Sequence, residues 1–237
     1  VMFEEPGEYV VSNRITGLNH MRGEFFSAVD TLGTVRVSEE VATPDRGETF
    51  RALHVIEDVR REVEPYRKYV DAPVDHELLL TVDIGDLPVQ VMQFMAIDTV
   101  YRSPVEFTDA MSHMNWLSTS NEVQWILRDV ATGAENMDID WRFEVGDVVK
   151  IRLQNDPDAF HPMNHPVHLH GQRFLVLSRD GVPNENLAWK DTALLPVGAT
   201  VDLLLEVTNP GQWMLHCHIA EHLEAGMMMA FAVEPGG

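Results

Sequence analysis

The sequence predicts an all-β chain built as a sandwich, with one short helical stretch. Apolar and polar residues alternate over strand-length runs, turn signals divide those runs, and helical spacing recurs in one place only. Residues 1 to about 45 read as short strands and turns. Tyr9-Val10-Val11 follows the turn signal Pro6-Gly7, and Val35 and Val37 alternate with Arg36 and Ser38. A seven-stranded sandwich takes about 100 residues, so residues 1–45 are expected to be the C-terminal remnant of a preceding domain. From Gly47 to about Tyr66, the residues Phe50, Leu53, Ile56, Val59 and Val63 recur at three- and four-residue spacing among charges. That pattern predicts an amphipathic helix closed by Pro65, inside a helical linker over 46–75 that ends in Asp71-Ala72-Pro73-Val74.

Strand patterns resume at His76, and residues 76–237 are expected to form one complete sandwich. Leu78 to Val82 is one strand, and Phe174 to Leu177 is a short buried one. Val149, Ile151 and Leu153 alternate with Lys150, Arg152 and Gln154. Val201, Leu203, Leu205 and Val207 alternate with Asp202, Glu206 and Thr208. Turns are expected at Asp180-Gly181, Pro196-Val197-Gly198 and Asn209-Pro210-Gly211.

Composition narrows the function. The chain is 45% hydrophobic and 23% charged, which marks it as globular. Its formal net charge of −21 repels nucleic acid and anionic membranes, so neither is an expected partner. Lys68, Lys150 and Lys190 are its only lysines. The acidity suits an ordinary acidic enzyme or a salt-adapted surface, and either would attract cationic substrates. Apolar runs such as Gly226 to Val233 are too short to span a bilayer, which takes about 20 residues. Cys217 is the only cysteine, so no intrachain disulfide can form.

Chemistry concentrates in two clusters that hold six of the eleven histidines. The first is His165-Pro166-Val167-His168-Leu169-His170-Gly171. The second is His216-Cys217-His218-Ile219-Ala220-Glu221-His222, with Met227 five residues further on. On a strand, successive side chains point to opposite faces. His216 and His218 then share one face and Cys217 takes the other. His168 and His170 share one parity, and His165 has the opposite one. Two metal sites, one on each side of a strand layer, would use this arrangement. One thiolate, two imidazoles and a weak thioether make a blue copper electron-transfer site, and Cys217, His165, His222 and Met227 supply that set. Zinc also binds Cys and His. The methionine and the four further histidines favour copper over it. His20, His54, His76, His113 and His161 read as surface or structural residues. Met111-Ser112-His113-Met114 reads as core filler, with a copper-entry feature as the alternative.

These two stretches resemble the C-terminal copper signatures of multicopper oxidases, a family that includes laccases, bilirubin oxidases and metal oxidases. The resemblance is strongest from about Met137 to Phe231. It implies a cupredoxin-like Greek-key sandwich over 76–237 and a partial preceding cupredoxin domain. It implies that His165, Cys217, His222 and Met227 hold a type 1 copper, that His168 contributes to a type 2 copper, and that His170, His216 and His218 contribute to paired type 3 coppers. Cys217, His216 and His218 would carry electrons between the sites. The implied activity is one-electron oxidation of phenolic, aromatic-amine or metal-ion donors with reduction of O2 to water. The donor would give up its electron at an exposed edge of His165 or His222. A secreted or periplasmic location is also implied.

Two departures stand out. Bacterial relatives often carry an acid directly after the second type 1 histidine, where this chain has Leu223, with Glu224 next and Glu221 before. The family's other cluster histidines come from two His-X-His motifs of a first domain, and this chain has none outside 168–170 and 216–218. The missing half is expected from a preceding segment of the polypeptide or from another subunit. A mononuclear blue-copper electron carrier or an inactive fragment is the alternative reading, which would leave the histidines beside Cys217 idle.

Overall fold

The structure, a computed structural model, describes residues 2–19, 24–40, 43, 47–48, 56–85, 100–102, 122–159 and 163–237. Its strands are β1 (Gly7–Asn19), β2 (Glu24–Val37), β3 (His76–Ile84), β4 (Val100–Arg102), β5 (Val123–Asp129), β6 (Trp141–Glu144), β7 (Val148–Asn155) and β8 (His165–Leu169). They continue with β9 (Arg173–Arg179), β10 (Val182–Pro183), β11 (Trp189–Lys190), β12 (Thr192–Leu195), β13 (Thr200–Glu206), β14 (Gly211–Cys217) and β15 (Met228–Glu234). Two short α-helices are described, α1 (Glu57–Val63) and α2 (Ala220–Glu224).

One sheet runs β10-β9-β13-β7-β3-β5, with β11 also paired to β9, and the other runs β12-β8-β14-β15-β6. Apart from the β9–β10 and β14–β15 pairs, neighbours in both are non-consecutive in sequence, so the chain crosses repeatedly between the layers, as in the cupredoxin-like Greek-key sandwich. Alternation builds the core. Ile151, Leu153, Val201, Leu203 and Leu205 face inward from the first sheet, against Val167, Leu169, Leu215, Phe231 and Val233 from the second. Asp180 and Gly181 both lie in the left-handed region, at φ 51° and 74°, which the two-residue turn between β9 and β10 requires.

Two expectations change. Residues 1–45 hold two long strands instead of short ones. β1 and β2 form a hairpin with a register shift at Val11/Ser12, and β1 also pairs with β4. Pro65 does not end the helical stretch. α1 stops at Val63, and a 3-10 helix with Pro65 in its first turn continues over Glu64–Tyr69. Proline lacks an N–H, and the first turn of a helix needs none. Phe50 and Leu53 lie outside the described residues.

The outer face of the first sheet is also covered. Val63 joins Leu175, Leu177, Leu187 and Leu204 in a second apolar cluster, flanked by Tyr66, Tyr69 and Trp189. Lys150, which the alternation puts on the polar side of β7, is therefore only 4% exposed. Its Nζ donates to the carbonyls of Val70 (2.7 Å) and Ala72 (3.0 Å) and lies 3.4 Å from the buried Asp202 carboxylate. Arg152 donates twice to that carboxylate, at 2.7 and 3.0 Å. Burial alone would push the Asp202 carboxyl up. The hydrogen bonds and charge of Arg152, with the charge of Lys150, hold it below the usual carboxylate range instead.

Candidate metal centre

The two clusters meet because β8 and β14 are antiparallel neighbours, with His168 opposite His216 and Val167 opposite Cys217. Strand parity then sorts the side chains. Cys217 follows Leu215 into the core, and His165 lies on the same inward face as Val167 and Leu169. The proline after His165 leaves this parity intact. His222 arrives from α2, whose single turn brings the chain back toward Cys217.

The inner group is compact. Cys217 Sγ lies 3.7 Å from His165 Nδ1 and 3.6 Å from His222 Nδ1, and the two Nδ1 atoms are 3.2 Å apart. A metal bound at about 2.0 Å to nitrogen and about 2.3 Å to sulfur sets trigonal ligand atoms about 3.5–3.7 Å apart. The donor set therefore fits such an ion. Burial drives the His165 pKa down to about 3, so its imidazole is neutral at ordinary pH and keeps a lone pair for a metal. Met227 is fully buried beside the group. Its N–H donates to the His222 carbonyl at 2.9 Å, and its carbonyl accepts from the Cys217 N–H at 3.1 Å.

The outer group forms on the opposite face of the same strands. His168, His170 and His216 offer ring nitrogens within 4.8 Å of one another. The His218 ring centroid lies 5.6 Å from that of His168 and 5.8 Å from that of His216. Carbonyl oxygens can only accept, so the rings they touch must donate. His168 Nδ1–H donates to the Asp191 carbonyl at 3.0 Å, and His216 Nδ1–H donates to the Cys217 carbonyl at 2.8 Å. That leaves Nε2 as the ring atom each could offer to a metal, as in ligating histidines. His170 Nε2 and His216 Nε2 already face each other at 2.9 Å.

One expectation fails. His165 and His222 are 1% and 2% exposed, so neither offers an open edge to a donor. Trp125 of β5 accounts for much of this, because its indole stacks on His222. Sequence reasoning singled out neither Trp125 nor Asp191. In sequence Trp125 is one more apolar residue of a strand, and Asp191 meets His168 chiefly through its backbone carbonyl at 3.0 Å, with its carboxylate 3.9 Å away. His76 packs against Trp141 and Phe143 at centroid distances of 4.4 and 5.6 Å, a structural role. His20, His54, His113, His161 and the Met111–Met114 stretch lie outside the described residues.

A family model described as multicopper oxidase matches residues 106–237. The chain is 27% identical over 197 residues to a laccase of Neurospora crassa, covering 68% of this chain and 30% of that one. It is 37% identical over 105 residues to laccase-7 of Oryza sativa subsp. japonica, covering 40% and 19%. It is 43% identical over 89 residues to an oxidoreductase of Pestalotiopsis microspora, covering 34% and 14%. The chain thus spans less than a third of the length of each. Among solved structures, a Campylobacter jejuni multicopper oxidase described as a metallo-oxidase aligns over 98% of this chain and 41% of its own, with a TM-score of 0.51. At 17% identity that likeness bears on the fold alone. With the family model covering more than half its length, the chain belongs to the multicopper oxidases.

Proposed function

We propose that this chain is the copper-ligating C-terminal part of a laccase-like enzyme. The enzyme takes electrons singly from phenolic, aromatic-amine or metal-ion donors and passes them to O2, yielding water. The observation that carries the reading is the placement of two donor groups on opposite faces of β8 and β14, with Cys217 in one and its neighbour His216 in the other. A mononuclear carrier would have no use for the second group.

His165, Cys217, His222 and Met227 would hold the type 1 copper. His168 would serve a type 2 copper, and His170, His216 and His218 the type 3 pair. Copper supplies a one-electron couple at the first site and O2 binding at the second. Cys217 joins the two through its own backbone, and the 2.8 Å hydrogen bond from His216 to the Cys217 carbonyl shortens that path. Because His165 and His222 are buried, the donor passes its electron through the groups that cover them and does not touch an imidazole edge. Residues 1–45 are read as the remnant of a preceding cupredoxin domain, 46–75 as a helical linker and 76–237 as the C-terminal domain. The four histidines missing from the cluster come from a preceding segment or another subunit. A secreted or periplasmic location goes with this reading. No helix among the described residues is long and apolar enough to cross a membrane.

The test is a pair of variants in the copper-loaded full-length enzyme. Cys217→Ser should abolish the intense visible band of a copper–thiolate bond. His168→Ala or His218→Ala should keep the band and stop oxygen consumption. A blue Cys217→Ser protein, or a respiring histidine variant, would refute the assignment.

A further inference from the structure

We propose that Trp125 is a positioning residue of the Cys217 centre, holding the two imidazoles and keeping water from them. The inference rests on the reading of His165, Cys217 and His222 as copper ligands. The indole lies on His222 with ring centroids 3.8 Å apart and planes 23° from parallel, and it meets His165 edge-on at 5.4 Å and 71°. One side chain thus sets the planes of both imidazoles in the group.

Its own position is over-determined by the backbone. The Trp125 N–H donates to the Ala225 carbonyl at 3.0 Å, which ties β5 to the end of α2. The Trp125 carbonyl accepts from Asn136 Nδ2 at 3.1 Å, while Asn136 Oδ1 accepts from the Leu127 N–H at 2.7 Å. Asn136 takes a left-handed φ of 51° to reach both. The strand that carries the indole is therefore fastened to the loop that follows His222. Trp125 is fully buried, yet its Nε1 has no hydrogen-bond partner among the described residues. An unpaired buried N–H works against stability, so no hydrogen bond from Nε1 sets the pose of the ring, which follows from the fastened backbone and from packing against the imidazoles.

Two consequences follow for a bound metal. Imidazoles held in place before the ion arrives lose less freedom on binding, so removing the indole should weaken copper uptake. An apolar shell also disfavours the more highly charged oxidised state. Replacing the ring with a smaller group that admits water should lower the reduction potential.

The experiment compares wild type, Trp125→Leu and Trp125→Phe in the full chain, titrated with copper alone. Three readings are taken: the visible band, the reduction potential, and tryptophan emission as Cu(II) is added. Trp125→Leu should bind copper about 10-fold to 100-fold more weakly and show a lower potential. Trp125→Phe keeps an aromatic face and should stay near wild type in both. An indole in contact with a ligand imidazole is quenched when Cu(II) binds, so wild-type emission should fall more than that of Trp125→Phe. Wild-type potential and affinity in Trp125→Leu would overturn the inference. If that variant does not fold, equal quenching in wild type and Trp125→Phe overturns it. A wild-type chain that takes up no blue copper overturns the site assignment, and the inference with it.

Discussion

At the residue scale, the inner group asks most of Met227. A weak axial thioether tunes the potential of a blue copper site, and Met227 is buried with both backbone bonds directed at ligand residues. Met227→Leu should leave copper bound, because the thiolate and two imidazoles remain, and should raise the potential. A redox titration showing a lowered or unchanged value would remove Met227 from the axial role. Gly171 is the other single residue with a sharp requirement. It follows His170 with φ at 65°, and a Cβ there would fall inside the Trp213 indole. Gly171→Ala should cost about 2–4 kcal/mol of stability from the left-handed backbone and the overpacking together. It should also shift His170, and chemical denaturation would measure the loss.

At the element scale, the helical segment before β3 is part of the fold. Asp202 accepts from Arg152 and sits beside Lys150, and Lys150 in turn holds the carbonyls of Val70 and Ala72. Asp202→Asn would leave Lys150 buried with less compensation. Breaking such a pair costs about 3–5 kcal/mol, which a denaturant melt would register along with release of the 70–75 segment. The pH sign follows from the depressed Asp202 carboxyl. Its contribution is complete above the unfolded value of about 3.9 and is lost as pH falls through the lower folded value. Tyr66 gives the alkaline counterpart. Its hydrogen bond to Glu206, then burial, push the phenol up to about 12. The neutral phenol stabilises the helical segment fully below about 10, and that share is lost as pH rises through about 12. An ultraviolet titration should show this phenol ionising well above the ordinary tyrosine value of about 10.

At the scale of the whole molecule, the outer group defines what the chain does alone. His168, His170, His216 and His218 are gathered on one face, and His170 and His218 are exposed. Imidazoles that fill only part of a metal's coordination gain little from it. The isolated 237-residue chain should therefore bind about one copper, turn blue and fail to consume oxygen with a phenolic donor. Near four coppers with full turnover would contradict the shared-cluster reading. Copper analysis, an optical spectrum and an oxygen electrode decide it.

Much of the site is legible in the sequence, because strand parity is a local property. Two histidines on either side of one cysteine must point away from it on a strand, and the structure sorts His216 and Cys217 that way. The sandwich was legible for the same reason, from the alternation of Val149 to Leu153 and Val201 to Val207. Only the tertiary structure decided what lies against those strands. Lys150 reads as solvent-facing until the segment through Val70 and Ala72 covers it, and Trp125 reads as core until α2 folds His222 onto its ring. The closure of His165 and His222 from solvent was equally hidden. Periodicity records which face of an element a residue takes, whereas contacts between residues 97 positions apart depend on how separate elements meet.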